Sequence, residues 1–269
     1  MTHPILLRHN VQITGNGPRT LVLAHGFGCD QSIWRHVAPA LAKQYRVVLL
    51  DHVGHGESDP RAFDPIRHST LDGYAQDLVQ ISEALDLHDA VLVGHSVSAM
   101  IGMLAISSAL GHFSQLVMLS PSPCFLNHPA DGYTGGFERQ DLEELLQLMD
   151  SNYAGWAAYL APVVGGGTQQ PEASAEMQVR FCALNPDVAR TFARATFFAD
   201  LRTELPGFTT HTLIVQCAND ALAPVSVGHY MQKMMPNTEL HTLQAHGHCA
   251  QLSHPEETVA LIEAFITPH

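Results

Sequence analysis

The sequence predicts an α/β fold: a mostly parallel, twisted sheet of about eight strands, with helices on both faces and a helical insertion. Three observations predict it. Short apolar runs alternate with helical patterns along the first half of the chain, this rhythm stops near Cys124, and it resumes after about residue 198. Strands that are apolar on both faces and separated by helices belong to a parallel sheet covered on each side. The chain has 269 residues, enough for one large domain with its own core.

Leu21-Val22-Leu23 is the first apolar run and ends at His25-Gly26; Arg46-Val47-Val48-Leu49-Leu50-Asp51 is the second and ends at Gly54 and Gly56. Leu71, Tyr74, Leu78, Ile81 and Leu85 recur at helical spacing, with Ser69 or Thr70 as a cap. A third run, Asp89 to Gly94, leads into a small and apolar stretch from Val97 to Leu110, which reads as a buried helix, and Gln115 to Leu119 is the fourth. From Phe125 to about Phe198 the pattern gives helices and loops but no strand. Leu142, Leu145, Leu146 and Met149 share a helix face, and Gly165-Gly166-Gly167 is a break. The alternation then returns as a strand at His211–Val215, a helix at Val225–Met235, a short strand at Leu240–Leu243 and a last helix at Pro255–Ile266. The expected division is a core of residues 1–124 and 199–269 with a helical cap, residues 125–198, inserted in it.

Composition excludes several classes of function. Twenty-six acidic against 13 basic residues give a net charge of −13, which repels phosphate backbones and anionic lipid, so neither a nucleic acid nor a membrane is an expected partner. No apolar stretch approaches the ~20 residues of a spanning helix, and Met1-Thr2-His3-Pro4 has no basic region followed by an apolar run, so a secretory signal is not expected. Five cysteines are an odd number without a Cys-x-x-Cys pair, which fits reduced thiols in a cytoplasmic protein better than a disulfide framework or a zinc site. Eighteen histidines invite a metal, but no metal-binding run such as His-Glu-x-x-His is present, so no metal and no cofactor is expected.

The segment Val91-Leu92-Val93-Gly94-His95-Ser96-Val97-Ser98-Ala99 runs a strand straight into a helix with Ser96 at the corner. That is a nucleophile elbow, a turn so tight that its flanks must be small. Gly94 meets this need on one side; on the other, Ser98 stands where a second glycine is usual. A serine hydroxyl needs a base, an orienting acid and a site for the oxyanion. The loop His25-Gly26-Phe27-Gly28 can turn the Phe27 N–H toward the reacting centre, and the Val97 N–H is the second candidate donor. Asp220 ends the late strand and is favoured as the acid, because Asn219 cannot carry the charge that stabilises an imidazolium. The loop Ala245-His246-Gly247-His248-Cys249 supplies the base, His246 or His248. The order serine, aspartate, histidine is that of hydrolases built on such sheets.

These residues resemble the α/β-hydrolase superfamily over the entire chain. Gly94-His95-Ser96-Val97-Ser98-Ala99, Ser120-Pro121-Ser122-Pro123-Cys124-Phe125, Gly135-Gly136-Phe137-Glu138, Asn152-Tyr153 with Gly155-Trp156, and Gly247-His248-Cys249 with Ser253-His254-Pro255 are similar to the RsbQ-type branch, which includes a bacterial stress-response regulator and the plant strigolactone and karrikin receptors. The resemblance selects His248 over His246 and accounts for Ser98. It implies a four-helix cap over a hydrophobic pocket lined by Phe27, Phe125, Phe137, Trp156, Tyr159 and Phe197. It also implies slow hydrolysis of a small apolar ester or lactone-like ligand, often in the service of signalling, with a regulatory protein as a partner at the cap. The second expectation is therefore a ligand-binding signalling module in which hydrolysis is secondary. Lyase or haloperoxidase chemistry on the same fold is a third, since a fold does not fix a chemistry.

Overall fold

The computed structural model describes residues 3–266; residues 1–2 and 267–269 of the expected core segments, with the first two residues of the N-terminal segment read above, lie outside it. Seven strands form one sheet: β1 (Gln12–Thr14), β2 (Thr20–Ala24), β3 (Arg46–Leu50), β4 (Ala90–His95), β5 (Phe113–Leu119), β6 (His211–Asn219) and β7 (Thr238–His246). Their order is β1-β3-β2-β4-β5-β6-β7. Among these described strands only the β1–β3 pair is antiparallel; Val22 pairs with Val48 and Leu92, and Val117 with Leu213, in parallel register. The sheet has seven strands among the described residues against about eight expected. Its edge strand β1 is three exposed residues, too short and too wet to leave a hydropathy signal.

The helices are α1 (Pro4–Arg8), α2 (Ala38–Leu41), α3 (Leu71–Ala84), α4 (Val97–Ser108), α5 (Arg139–Ser151), α6 (Tyr153–Gly165), α7 (Pro171–Ala183), α8 (Pro186–Phe197), α9 (Val225–Met234), α10 (Ala250–Ser253) and α11 (Pro255–Ile266). α4 buries nine of its residues, as its all-round apolar character requires. Gly102 lets it lie close on the sheet, since a Cβ there would stand 2.5 Å from a Leu92 methyl.

Between β5 and β6 the chain leaves the sheet for α5–α8. Each helix starts on a recognisable signal: a capping box between Glu138 and Asp141, the Asn152 side chain on the Gly155 N–H, Pro171 in the first turn, and Asn185 ahead of Pro186. α6 stops at the glycine run, with Gly166 in the left-handed region at φ 98°. The two ends of this excursion meet, because Cys124 and Asp200 form an antiparallel bridge. Leu142, Leu146, Met149, Trp156 and Phe181 bury into the same apolar cluster as Leu119 and Val215 of the sheet. Arg180 of α7 adds ion pairs to Asp30 at 2.9 Å and to Glu176 at 2.7 Å.

Candidate active site

β4 delivers Ser96 to the carboxyl edge of the sheet. Ser96 has φ 56° and ψ −122°, a strained backbone for a residue with a side chain. Its N–H is held by Leu119 O at 2.8 Å and its C=O accepts from Ala99 N at 2.9 Å. Gly94 has no room for a Cβ, which would lie 2.5 Å from Ser98 O and 2.6 Å from Ala99 N. The serine that replaces the second glycine has its own accommodation. Ser98 Oγ donates to His25 O at 2.5 Å and accepts from His52 Nε2 at 2.7 Å.

β6 runs on to Asn219, so Asp220 follows its end directly. Asp220 Oδ1 accepts from the Leu222 and Ala223 N–H groups at 2.9 and 3.1 Å, which fixes the carboxylate. Its Oδ2 accepts from His248 Nδ1 at 2.7 Å. With the Nδ1–H tautomer held by that acceptor, His248 Nε2 accepts from Ser96 Oγ, again at 2.7 Å. Thus a hydroxyl, an imidazole 152 residues further along the chain and a carboxylate 28 residues before that imidazole form one hydrogen-bonded line, and all three residues are buried. The alternative base, His246, is exposed at the end of β7, because the two histidines straddle Gly247, whose φ of 86° turns the chain inward. His248 N donates to Val164 O at 2.8 Å, which ties this histidine to α6 of the insertion.

Four buried histidines brace this arrangement. His95 Nε2 donates to His248 O at 3.0 Å. His25 Nδ1 donates to Gly26 O at 2.9 Å, leaving its Nε2 to accept from His52 N at 3.0 Å. Burial pushes all four imidazoles, His25, His52, His55 and His95, below the usual histidine range, His55 and His95 to about 3. As neutral groups they bond to Gly26 O (His25), Ser98 Oγ (His52), Val53 O (His55) and His248 O (His95). Neither the Phe27 nor the Val97 N–H donates to a protein group among the described residues; Val97 opens α4, where helix amides lack intrahelical acceptors.

Residues 21–261 match, as a whole, the profile described as the Alpha/beta hydrolase family. The chain belongs to the alpha/beta hydrolase family. The resemblance reaches further than this profile. A karrikin insensitive 2 receptor (IA) of Petunia hybrida is 41% identical over 253 residues, covering 94% of this chain and 92% of the relative. The strigolactone esterase D14 of Arabidopsis thaliana is 39% identical over 256 residues, 95% of each chain. Among solved structures, a hydrolase from Oleispira antarctica superposes with a TM-score of 0.96 at 47% identity, covering 99% of this chain and 97% of that one.

In this alpha/beta hydrolase a cavity of about 20 Å³ adjoins Ser96 and His248. Phe27, Phe125, Phe181 and Phe197 wall it, with Leu160 and Val164 of α6, Thr196 of α8, His95 and Leu222 completing the lining. Three of the six aromatics named from the sequence therefore face Ser96, and three do not. Trp156 lies fully buried one layer back, with its ring 6.1 Å from Phe27 and 5.2 Å from Phe181. Phe137 stands behind Phe125, ring centroids 6.4 Å apart, on an outer groove. Tyr159 is 61% exposed and borders the same groove, because the helix turn that points Leu160 inward points its neighbour out. Sequence reading missed Phe181, Leu160, Val164, Thr196 and Leu222. Phe181 has an indirect signal: Gly28, at φ 74°, leaves the space its ring fills, since a Cβ there would lie 2.1 Å from it.

At the base of the insertion, Cys124, His128 and Asp200 bring a thiol, an imidazole and a carboxylate within 4.8 Å of one another. Each already has a partner. Arg202 forks Asp200 at 2.8 and 2.7 Å, and Cys124 Sγ stands 3.7 Å from Leu126 O and 3.6 Å from His128 Nε2. No helix among the described residues is long and apolar enough to cross a membrane.

Proposed function

We propose that this alpha/beta hydrolase cleaves a small apolar carboxylic ester or lactone, with Ser96 as nucleophile, His248 as general base and then acid, and Asp220 as the group that orients and stabilises His248. The observation that carries the reading is the unbroken Asp220–His248–Ser96 hydrogen-bonded line. As Ser96 Oγ bonds to the ligand carbonyl carbon, its proton passes to His248 Nε2, and Asp220 stabilises the imidazolium. The Phe27 and Val97 N–H groups, free of protein acceptors, receive the oxyanion. His248 returns the proton to the leaving oxygen, and water activated by the same imidazole then releases the acid from Ser96. Residues 125–198 act as a cap over this site. The phenylalanine walls favour an uncharged ligand with hydrophobic flanks.

A second reading concerns use. Ligand sites commonly occupy ~300–1,000 Å³, whereas this cavity holds about 20 Å³, so a ligand has to part the cap from the core. His248 is bonded to α6, so such a movement also reaches the base. Together with relatives described as receptors, this supports slow turnover coupled to a cap shape that a regulatory protein reads. Ser96→Ala is expected to abolish hydrolysis of 4-nitrophenyl acetate, and a serine-directed phosphonate is expected to add its mass to Ser96 alone. Undiminished turnover by the variant would overturn the reading. Fast multiple turnover with no ligand-dependent protein partner would remove the signalling part and leave an ordinary esterase.

A further inference from the structure

α8 carries two threonines that behave differently. Thr191 Oγ1 donates to Asp187 O, one turn back, at 3.0 Å, the usual resting place of a helical threonine hydroxyl. Thr196 makes no such bond. Its Oγ1 is buried and has no hydrogen-bond partner, in a residue only 3% exposed. A buried hydroxyl without a partner is costly, and a valine of the same shape avoids that cost. The hydroxyl is also not in a random part of the core, because Thr196 lines the cavity at Ser96.

The other polar groups of that cavity belong to the core side. Ser96 and His248 bond to each other. His95 spends Nε2 on His248 O; its Nδ1 also lacks a hydrogen-bond partner, but it lies on the core side against Gly26, where a Cβ would stand 2.6 Å away, and not on the cap side. The remaining lining is hydrocarbon, so the Thr196 hydroxyl is the polar group on the cap side of the cavity without an assignment.

We propose that Thr196 is a specificity residue whose hydroxyl hydrogen-bonds a second oxygen of the bound ester or lactone, an ether, hydroxyl or keto oxygen apart from the carbonyl that Ser96 attacks. The inference rests on the serine-hydrolase reading above and adds the substrate class: oxygen-bearing apolar acyl compounds rather than plain hydrocarbon ones. A site with an unpaired buried polar group discriminates against a ligand that leaves it unpaired.

Two length-matched pairs of chromogenic esters test it, 4-nitrophenyl methoxyacetate against butanoate and 4-nitrophenyl 3-methoxypropanoate against pentanoate. Each pair exchanges one methylene for an ether oxygen. The readout is the ratio of kcat/KM within a pair, corrected for the ratio of the hydroxide-catalysed rates. Thr196→Val is expected to lower that ratio about 3- to 10-fold in at least one pair, with no loss of the urea unfolding midpoint. Thr196→Ser, which keeps the hydroxyl, is expected to hold the ratio within about twofold of the parent. A ratio unchanged in both pairs by Thr196→Val, or both members of each pair falling together, overturns the proposal while leaving the serine hydrolase standing. A parent protein that cleaves none of the four esters and takes no phosphonate on Ser96 overturns both, and that result is visible before any variant is made.

Discussion

Ser98 shows how a departure from a familiar motif can be structural rather than degenerate. Its hydroxyl connects His25 O to His52 Nε2 behind Ser96. Ser98→Ala therefore strands two buried polar groups and is expected to cost ~1–3 kcal/mol, read as a lower urea midpoint at constant slope. Asp220→Asn tests the other end of the line. The amide keeps the shape but holds the wrong histidine tautomer, so kcat for ester hydrolysis is expected to fall on the order of 10³–10⁴-fold. A loss below tenfold would show that His248 does not depend on the carboxylate. Ser96 and Asp220 could be read from the sequence because each sits where an apolar strand run ends, and strand ends are where such sheets place chemistry. His248 and His246 could not be separated by composition or spacing. The decision lies in one glycine with positive φ, and a hydropathy pattern does not encode that.

Among the elements, α6 borders two spaces at once. Its inner side supplies Leu160 and Val164 to the cavity, while Tyr159 and Val163 face an outer groove of about 430 Å³. Leu160 and Leu222 border both spaces, so they are the partition between groove and cavity. Leu160→Ala is expected to join the two spaces and raise kcat/KM for 4-nitrophenyl octanoate relative to the acetate. The accompanying cost in stability is ~2–5 kcal/mol by urea unfolding. An unchanged octanoate-to-acetate ratio would mean that this partition does not limit acyl length. The same helix shows why the aromatic lining was only half legible. Fully buried strands announce themselves as apolar runs, whereas in a helix that is apolar nearly all round, Tyr159 and Leu160 differ only in rotational phase. That phase is set by the packing of α5, α7 and the core, which are distant in sequence. β1 escaped for the opposite reason, having no buried residue to mark it.

Taken as a whole, the molecule stores uncharged histidines in its interior. Unfolding returns their imidazoles to the ordinary value of 6.5, whereas burial holds His55 and His95 at about 3 in the native state. Between these values the unfolded chain binds protons that the native one refuses. The stabilisation is therefore complete above pH 6.5 and is lost progressively as pH falls toward 3, at roughly 1 kcal/mol per pH unit for each such histidine. Urea midpoints at pH 7.5, 5.5 and 4.5 should decline in that order, and a flat series would refute the neutral-histidine account. The charge of −13 cannot produce this trend, since acidification relieves the mutual repulsion of carboxylates. The small cavity has a kinetic corollary of its own. If guests are admitted only in moments when α6 draws away, the observed association rate must climb with ligand concentration and then level off at the frequency of those moments. Departing products wait at the same door, so arrival and release share a single clock set by the polypeptide rather than by the guest.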